Sequence, residues 1–458
     1  MTQQLDAPVA SPEIRSLEDL EHYFHAGCKE RPSWKVGVEY EKPVVDAETG
    51  EAVPYEGPRG IGAVLAAMRE RAPWEEIYED GKLIALRDAN ASITLEPGGQ
   101  LEMSGQQCDT LHCANEELGS HVEQVVVVGA ELGLAFLGLG ATPKTPPESA
   151  PWMPKQRYRI MREIMSTTGR LGHRMMQQTA TVQANFDYES ERDARRKFRL
   201  AMAMSPVLVA MSANSPIVDG EVTGYKSFRA HIWHDTDAAR CGLLPFAFDT
   251  ENVFGAYARW ALDVPMYFIW RDGRFLSSGG MSFRRFVSEG LAGNRATLAD
   301  WATHLTTCFP EARLKTYLEV RAPDSQPVEL MLATPALMKG LLYDDDCLDA
   351  AWDVISRWTL DERLVASEDA ARGGLQARVR RHTLREYAHE IIGIASEGLR
   401  RQACKRADGQ DERIYLDPLA RDVAAGVSPA DRILALWNDE WRGDIRRLVD
   451  YAAYRTAG

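Results

Sequence analysis

Positive charge is in short supply in this chain: 53 Lys and Arg stand against 67 Asp and Glu, a formal net charge of -14 over 458 residues. No global positive field exists to draw in phosphate backbones or anionic lipid, so nucleic-acid and membrane partners are not expected. Long hydrophobic runs are missing as well. The most apolar stretch, Val125 to Ala141, is interrupted by Glu131 and rich in glycine, which makes it too short and too polar for a bilayer span. It reads as a buried helix end running into a strand. Met1 to Arg15 has no basic region followed by an apolar core, so no secretory signal is expected, and residues 1–15 read as a disordered tail.

Cysteine is scarce too. Cys28, Cys108, Cys113, Cys241, Cys308, Cys347 and Cys404 are odd in number and scattered, which argues against a disulfide framework and against a zinc site. A reducing, cytoplasmic location is the expectation. Cys108 and Cys113 are spaced as a metal pair could be, but no second Cys/His pair accompanies them, and small buried hydrophobes is the plainer reading. The chain also lacks a Gly-rich loop ending in Lys-Ser/Thr, a Gly-X-Gly-X-X-Gly after a strand, a Gly-X-Ser-X-Gly elbow and a paired-His metalloprotease helix. The common nucleotide and hydrolase signatures are therefore excluded.

What is present is 45% hydrophobic and 26% charged sequence, ordinary for a folded protein with a large core. Residues 16–458 read as a single domain. Ser16-Leu17-Glu18-Asp19 has the form of a capping box opening a helix. Lys35 to Lys42 alternates and is bounded by prolines, so it reads as a strand with Glu39 and Glu41 on one face. A helix over 60–71 precedes short strands at 74–78, 83–87, 92–95 and 100–104, an antiparallel meander punctuated by Gly, Asp and Asn. Helices are expected over 110–130, 158–165, 171–177 and 191–211, and another alternating strand over 179–188. From about 330 to 458 helical patterns dominate, at 331–342, 347–358, 382–407 and 429–454. Strands and helices are segregated, which predicts α+β: an antiparallel sheet with a mainly helical C-terminal part.

Chemistry is suggested by carboxylates at strand positions where Lys, Thr or Arg are more usual: Glu39 and Glu41, Glu96 and Glu102 around Pro97-Gly98-Gly99-Gln100, and Glu319 in Tyr317-Leu318-Glu319-Val320-Arg321. Adjacent strands would bring these acids to one face. Converging carboxylates repel and stay ionised only beside divalent cations; magnesium with an ATP phosphate chain supplies such a partner. Any one of the acids, taken alone, reads equally as a solvated strand face. Gly98-Gly99 favours a backbone pressed close to something, or a turn with positive φ.

These runs also carry a resemblance. Gly37-Val38-Glu39-Tyr40-Glu41-Lys42, Leu95-Glu96-Pro97-Gly98-Gly99-Gln100-Leu101-Glu102, Met153-Pro154-Lys155-Gln156-Arg157-Tyr158, Thr181-Val182-Gln183-Ala184-Asn185-Phe186-Asp187, His231-Ile232-Trp233-His234-Asp235 and Val264-Pro265-Met266-Tyr267-Phe268 resemble the plant and proteobacterial type of glutamate-cysteine ligase, in order from about Ser16 to Tyr454. The resemblance implies a glutamine-synthetase-like sheet funnel surrounded by helices, holding ATP and two or three magnesium ions. It also implies ligation of the glutamate γ-carboxylate to the amine of cysteine through γ-glutamyl phosphate, the first step of glutathione synthesis. Glu39, Glu41, Glu96, Glu102 and Glu319 match its metal-binding acids, and Arg229 matches the position that grips substrate carboxylate.

Within that frame Arg321 and Arg229 are the expected catalytic pair. Lys155, Arg157, Lys315 and Arg321 are candidates for the phosphate chain, because charge developing on a transferred group needs fixed cations. Trp233, Tyr267 and Met266 would wall the amino-acid pockets, and Gln183 and Asn185 would bond substrate from the sheet floor. The bland alternatives are core packing for the former set and cross-strand pairing for the latter. His231 and His234 are left structural. Small-molecule substrates (glutamate, cysteine or another amine, and ATP) and a monomer or homodimer complete the expectation.

Departures from the family pattern are informative. Tyr40 stands where the family has His between the two acids, and should point away from them. Asn115 and Leu332 occupy the positions of the regulatory disulfide of plant enzymes, so thiol control of that kind is not expected. The stretch around His173, Gln178 and Ala180 differs from bacterial members and leaves the amine open. A divergent γ-glutamyl ligase for another amine is one alternative. The other, an inactive scaffold on this fold, is opposed by the intact acids.

Overall fold

The structure, a computed structural model, describes residues 11–456. Its centre follows from period-two alternation, which sends every second side chain of a strand to the same side. Eight strands of one sheet are labelled here in chain order: β1 (Val36–Lys42), β2 (Glu75–Glu79), β3 (Lys82–Arg87), β4 (Ser92–Leu95), β5 (Leu101–Ser104), β6 (Val182–Phe186), β7 (Ala312–Leu314) and β8 (Leu318–Val320). They pair antiparallel in the order β7-β8-β6-β1-β5-β4-β3-β2. The run from β2 to β5 is the expected meander. Val36, Val38 and Tyr40 of β1, Val182, Ala184 and Phe186 of β6, and Leu318 and Val320 of β8 are all buried in the hydrophobic core. Tyr40 is thus turned away from the acids that flank it, as expected.

Helices pack around this sheet. α1 (Leu17–His25) opens with the Ser16/Asp19 capping box, α2 (Ile61–Arg69) follows, and α3 (Leu111–Leu132) ends where Gly133 takes a left-handed conformation, φ 66°, before the short strand Leu134–Phe136. That strand pairs with Val44–Asp46, outside the main sheet. α4 (Gln156–Met165), α5 (Gly172–Gln178), α6 (Glu191–Ser212) and α7 (Phe228–His234) complete the site-bearing half. α6 is buried on all sides from Leu200 to Ser212, the mark of a central helix. The C-terminal part is helical, and the α+β expectation holds. Where one helix was expected over 429–454 there are three pieces: Pro429–Leu436, a π turn at Trp437–Trp441, and Ile445–Ala452, the break falling at left-handed Arg442. Among the described residues no helix is long and apolar enough to cross a membrane.

Two expectations are corrected. Residues 11–15 are not a disordered tail: Ile14 is buried, its N–H donates to the Ala296 carbonyl, and the Leu298 N–H donates to that of Pro12. One apolar side chain with backbone partners anchors the segment; residues 1–10 of the expected tail lie outside the described residues. Cys108 and Cys113 are neither a metal pair nor free hydrophobes but a disulfide, their Cα atoms 5.8 Å apart across the turn into α3. A spacing of five residues does not by itself say that the backbone folds back to bring two thiols together.

Candidate active site

Residues opposite each other across an antiparallel pair share a face. The register therefore assembles the site directly: Glu41 faces Glu102, which faces Thr94; Glu39 faces Gln183 and Ser104; Glu319 faces Asn185 and Arg313. Glu96 joins them from the turn after β4. That turn needs both of its glycines. Gly99 has φ +91°, and a Cβ on Gly98 would stand 2.1 Å from the carbonyl oxygen of Gln177 in α5. The close approach inferred for Gly98 is thus to the protein's own backbone. Gly98→Ala is expected to cost about 3 kcal/mol, since neither carbonyl nor turn can yield cheaply; an unchanged melting temperature would contradict this packing.

Glu39, Glu41, Glu96 and Glu102 line one cavity with Gln183, Arg157, Arg229, Arg321 and Trp233. Glu39 also borders a second cavity of about 160 Å³, lined by Lys29, Lys35, Lys315, Asn185 and Tyr317. At the other end Lys155 and Arg157 face a third, walled by Trp270 and Phe275. Four acids thus lie between two cation-lined mouths.

Their electrostatics separate the acids into two kinds. Burial, then Glu96 and Glu102, holds Glu41 well above the usual carboxylate range. Burial raises Glu39 as well, with Glu319 and Glu102 adding to it. Glu96 is pushed up to about 7 by burial and by Glu102, and its Oε1 is buried without a partner. Glu319 is the opposite case. Burial alone would raise it, but Arg313 (2.6 Å), Arg321 (2.8 Å) and Lys315 (3.8 Å) hold it well below the ordinary range. Among the described residues no three His, Cys, Asp or Glu stand as a ready-made metal site.

The two amides on the sheet floor bond the protein's own acids, Asn185 donating to Glu39 Oε1 at 3.0 Å and Gln183 to Glu41 Oε1 at 3.4 Å. Arg321 donates to Gln183 and Glu319. Arg229, buried on α7, donates from Nη1 to the Ala322 carbonyl (2.9 Å) and from Nη2 to that of Arg321 (3.0 Å), and its Nε is buried without a partner. Lys155 donates to the Leu95 carbonyl at 2.8 Å, and burial pulls it down to about 7.

Met266 and Tyr267 are corrected: both are core residues, Tyr267 packing its ring under Arg240 at 4.0 Å, while Phe268 lines the acidic cavity instead. Alternation along the chain admits Phe268 and excludes Tyr267, while Met266 lies before the strand that starts at Phe268 and is buried in the core. His231 stacks on Tyr225, and His234 bonds Ser367 and Glu368, so neither serves the cavity. Arg313 was missed. It shares the odd-numbered phase of Lys315, Glu319 and Arg321, a signal that the alternation offered.

Residues 35–451 match the model of Glutamate-cysteine ligase family 2. The chain is 42% identical to "Glutamate--cysteine ligase, chloroplastic" of Nicotiana tabacum, over 98% of this chain and 85% of that one. It is 41% identical to the protein of the same name in Arabidopsis thaliana, over 97% and 84% respectively. Among solved structures, a glutamate-cysteine ligase of Francisella tularensis in complex with AMP aligns with a TM-score of 0.54 at 14% identity, covering 93% of this chain and 90% of that one, which shows a shared fold. The plant relatives are named chloroplastic, which overturns the cytoplasmic expectation.

Proposed function

The chain belongs to glutamate-cysteine ligase family 2, and on that premise we propose that its ligation of glutamate to cysteine is driven by ATP, with magnesium held among Glu39, Glu41, Glu96 and Glu102. The observation that supports this most is the convergence of these four acids on one cavity, Glu39 and Glu102 buried and Glu41 and Glu96 half-buried, three of them held above their ordinary range, with a carboxylate oxygen of Glu96 left unpartnered. A divalent oxygen-seeking cation fits that donor set and relieves the repulsion. Glu319 does not belong to the set, because Arg313, Lys315 and Arg321 already neutralise it. Bound magnesium would supply charge neutralisation of a transferring phosphoryl group.

The chain's own residues do the rest. Arg229 offers its unpartnered Nε to a glutamate carboxylate, Trp233 and Phe268 wall that cavity, and Gln183 and Asn185 hold the orientation of Glu41 and Glu39. Arg321 and Arg157 line the same cavity as fixed cations, with Lys155 and Lys315 at its two mouths. A γ-carboxylate oxygen attacks the terminal phosphorus of ATP in line, the bond to ADP breaking as γ-glutamyl phosphate forms; the amine then attacks the acyl carbon, phosphate leaves, and the amine gives up a proton to solvent. Phosphate release with glutamate, ATP and a panel of amines tests the assignment; vigorous turnover with another amine and none with cysteine would overturn it.

Proton linkage gives a second check. Without metal, the folded protein keeps protons on Glu41 and Glu96 that an unfolded chain surrenders above about pH 4.3. The unfolded state then binds fewer protons, so stability falls as pH rises from there towards about 7. A cation that binds only the ionised acids reverses this trend. The rise in melting temperature on adding millimolar magnesium should therefore be larger at about pH 8 than at about pH 5. Equal shifts at both would contradict the proposed set.

A further inference from the structure

One buried carboxylate near the site takes no part in the ligation as described. Asp324, 1% exposed, lies just past β8, and its two oxygens gather three donors: Oδ2 accepts from the Asn214 N–H (2.8 Å) and the Ser215 hydroxyl (2.7 Å), and Oδ1 from the Ser227 hydroxyl (2.7 Å). None of these donors is charged. Burial raises Asp324 above its ordinary range, and the charge of Arg229 is the largest influence opposing that. A Cβ on Gly140 would meet the carboxylate carbon at 2.4 Å, so the pocket is closed around it.

Two of the three donors, Ser215 and Ser227, also hold the first turn of α7. Ser227 is the N-cap of α7 and accepts from the Ala230 N–H at 3.1 Å; Ser215 accepts from the Arg229 N–H at 3.1 Å. Arg229 in turn donates its guanidinium to the Arg321 and Ala322 carbonyls, three and two residues before Asp324. One carboxylate thus ties the end of α6, the start of α7 and the segment leaving β8 into a closed loop of hydrogen bonds, and Arg229 is a member of that loop at both its backbone and its side chain.

We propose that Asp324 is a positioning residue for Arg229, fixing the guanidinium where it meets the glutamate carboxylate and so setting glutamate affinity; this rests on the reading of Arg229 given above. Its action is through geometry, in the manner of an outer partner that orients a ligand-contacting group.

Asp324→Asn keeps the shape and removes the charge, but it turns one acceptor oxygen into an NH2 group facing donors. The KM for glutamate should rise about 10- to 100-fold, with the KM values for cysteine and MgATP within about twofold of the parent. Ser215→Ala, which deletes one donor and the acceptor of the Arg229 N–H, should shift the same parameter by less, and it serves if Asp324→Asn does not fold. An unchanged glutamate KM in a folded variant, or loss of activity with all KM values intact in proportion to unfolded protein, would overturn the proposal. Arg229→Lys measured alongside separates the two layers. If it raises the glutamate KM while the Asp324 and Ser215 variants do not, the positioning role fails and the Arg229 reading stands; if Arg229→Lys leaves that KM untouched, the Arg229 reading fails and takes this inference with it.

Discussion

Glu96→Ala is expected to lower kcat/KM by about three orders of magnitude and to leave the fold standing, because one charge-positioning group is deleted from a pre-organised site. Glu96 is a costly residue for the folded protein: desolvation and Glu102 push it up to about 7, and its Oε1 is buried with no hydrogen-bond partner. Deleting it removes a desolvation penalty and a repulsion with Glu102, so the metal-free variant should melt no lower than the parent at about pH 8. Its magnesium-dependent stabilisation should shrink at the same time. Stability kept while turnover and the magnesium response are lost is the pattern of a group retained for function. A Glu96→Ala protein that turns over normally would remove this acid from the site.

Glu319→Ala should do the reverse, unfolding the protein before any catalytic role can be read. Glu319 is fully buried, and its two oxygens are shared by Arg313, Arg321 and Lys315. Removing it strands three cations in one buried corner, and breaking a buried ion pair in this way costs about 3–5 kcal/mol. The measurement is a denaturant or thermal midpoint, and a variant as stable as the parent would contradict the structural role. Arg313→Met deletes one of three partners instead of their common acid, and should cost less. Together the two glutamate variants separate acids that look alike in the chain: one tolerated for chemistry, the other needed for the sheet edge.

Much of this was readable from local pattern. Odd-numbered acids in an alternating segment share a face whatever the strand pairs with, so Glu39 and Glu41 were placed before any neighbour was known. The same phase sent Tyr40 to the core. The Ser16/Asp19 capping box formed where its spacing predicted, because capping is decided within four residues. Failures came where a distant segment had the deciding vote. Ile14 looked like part of a tail until the backbone at Ala296 received it, and Met266 and Tyr267 looked like pocket walls until Arg240 and the core claimed them. The Cys108–Cys113 disulfide belongs here too, as the turn into α3 is held by pairing between Cys108 and Val36 of β1.

From the chain alone came the phase of each strand, the face on which each acid lies, the pair of glycines that the turn after β4 demands, and the chemistries ruled out by missing motifs. These are properties of neighbouring residues, set by backbone sterics and side-chain alternation. Which strands are adjacent, and hence which acids repel one another and which are neutralised, was decided only by the tertiary structure. Ionisation answers to charges a few ångströms away, and here those charges come from distant segments: Lys155 and Arg157 beside Glu96, and Glu319 of β8 acting on Glu39 of β1 across the intervening strand.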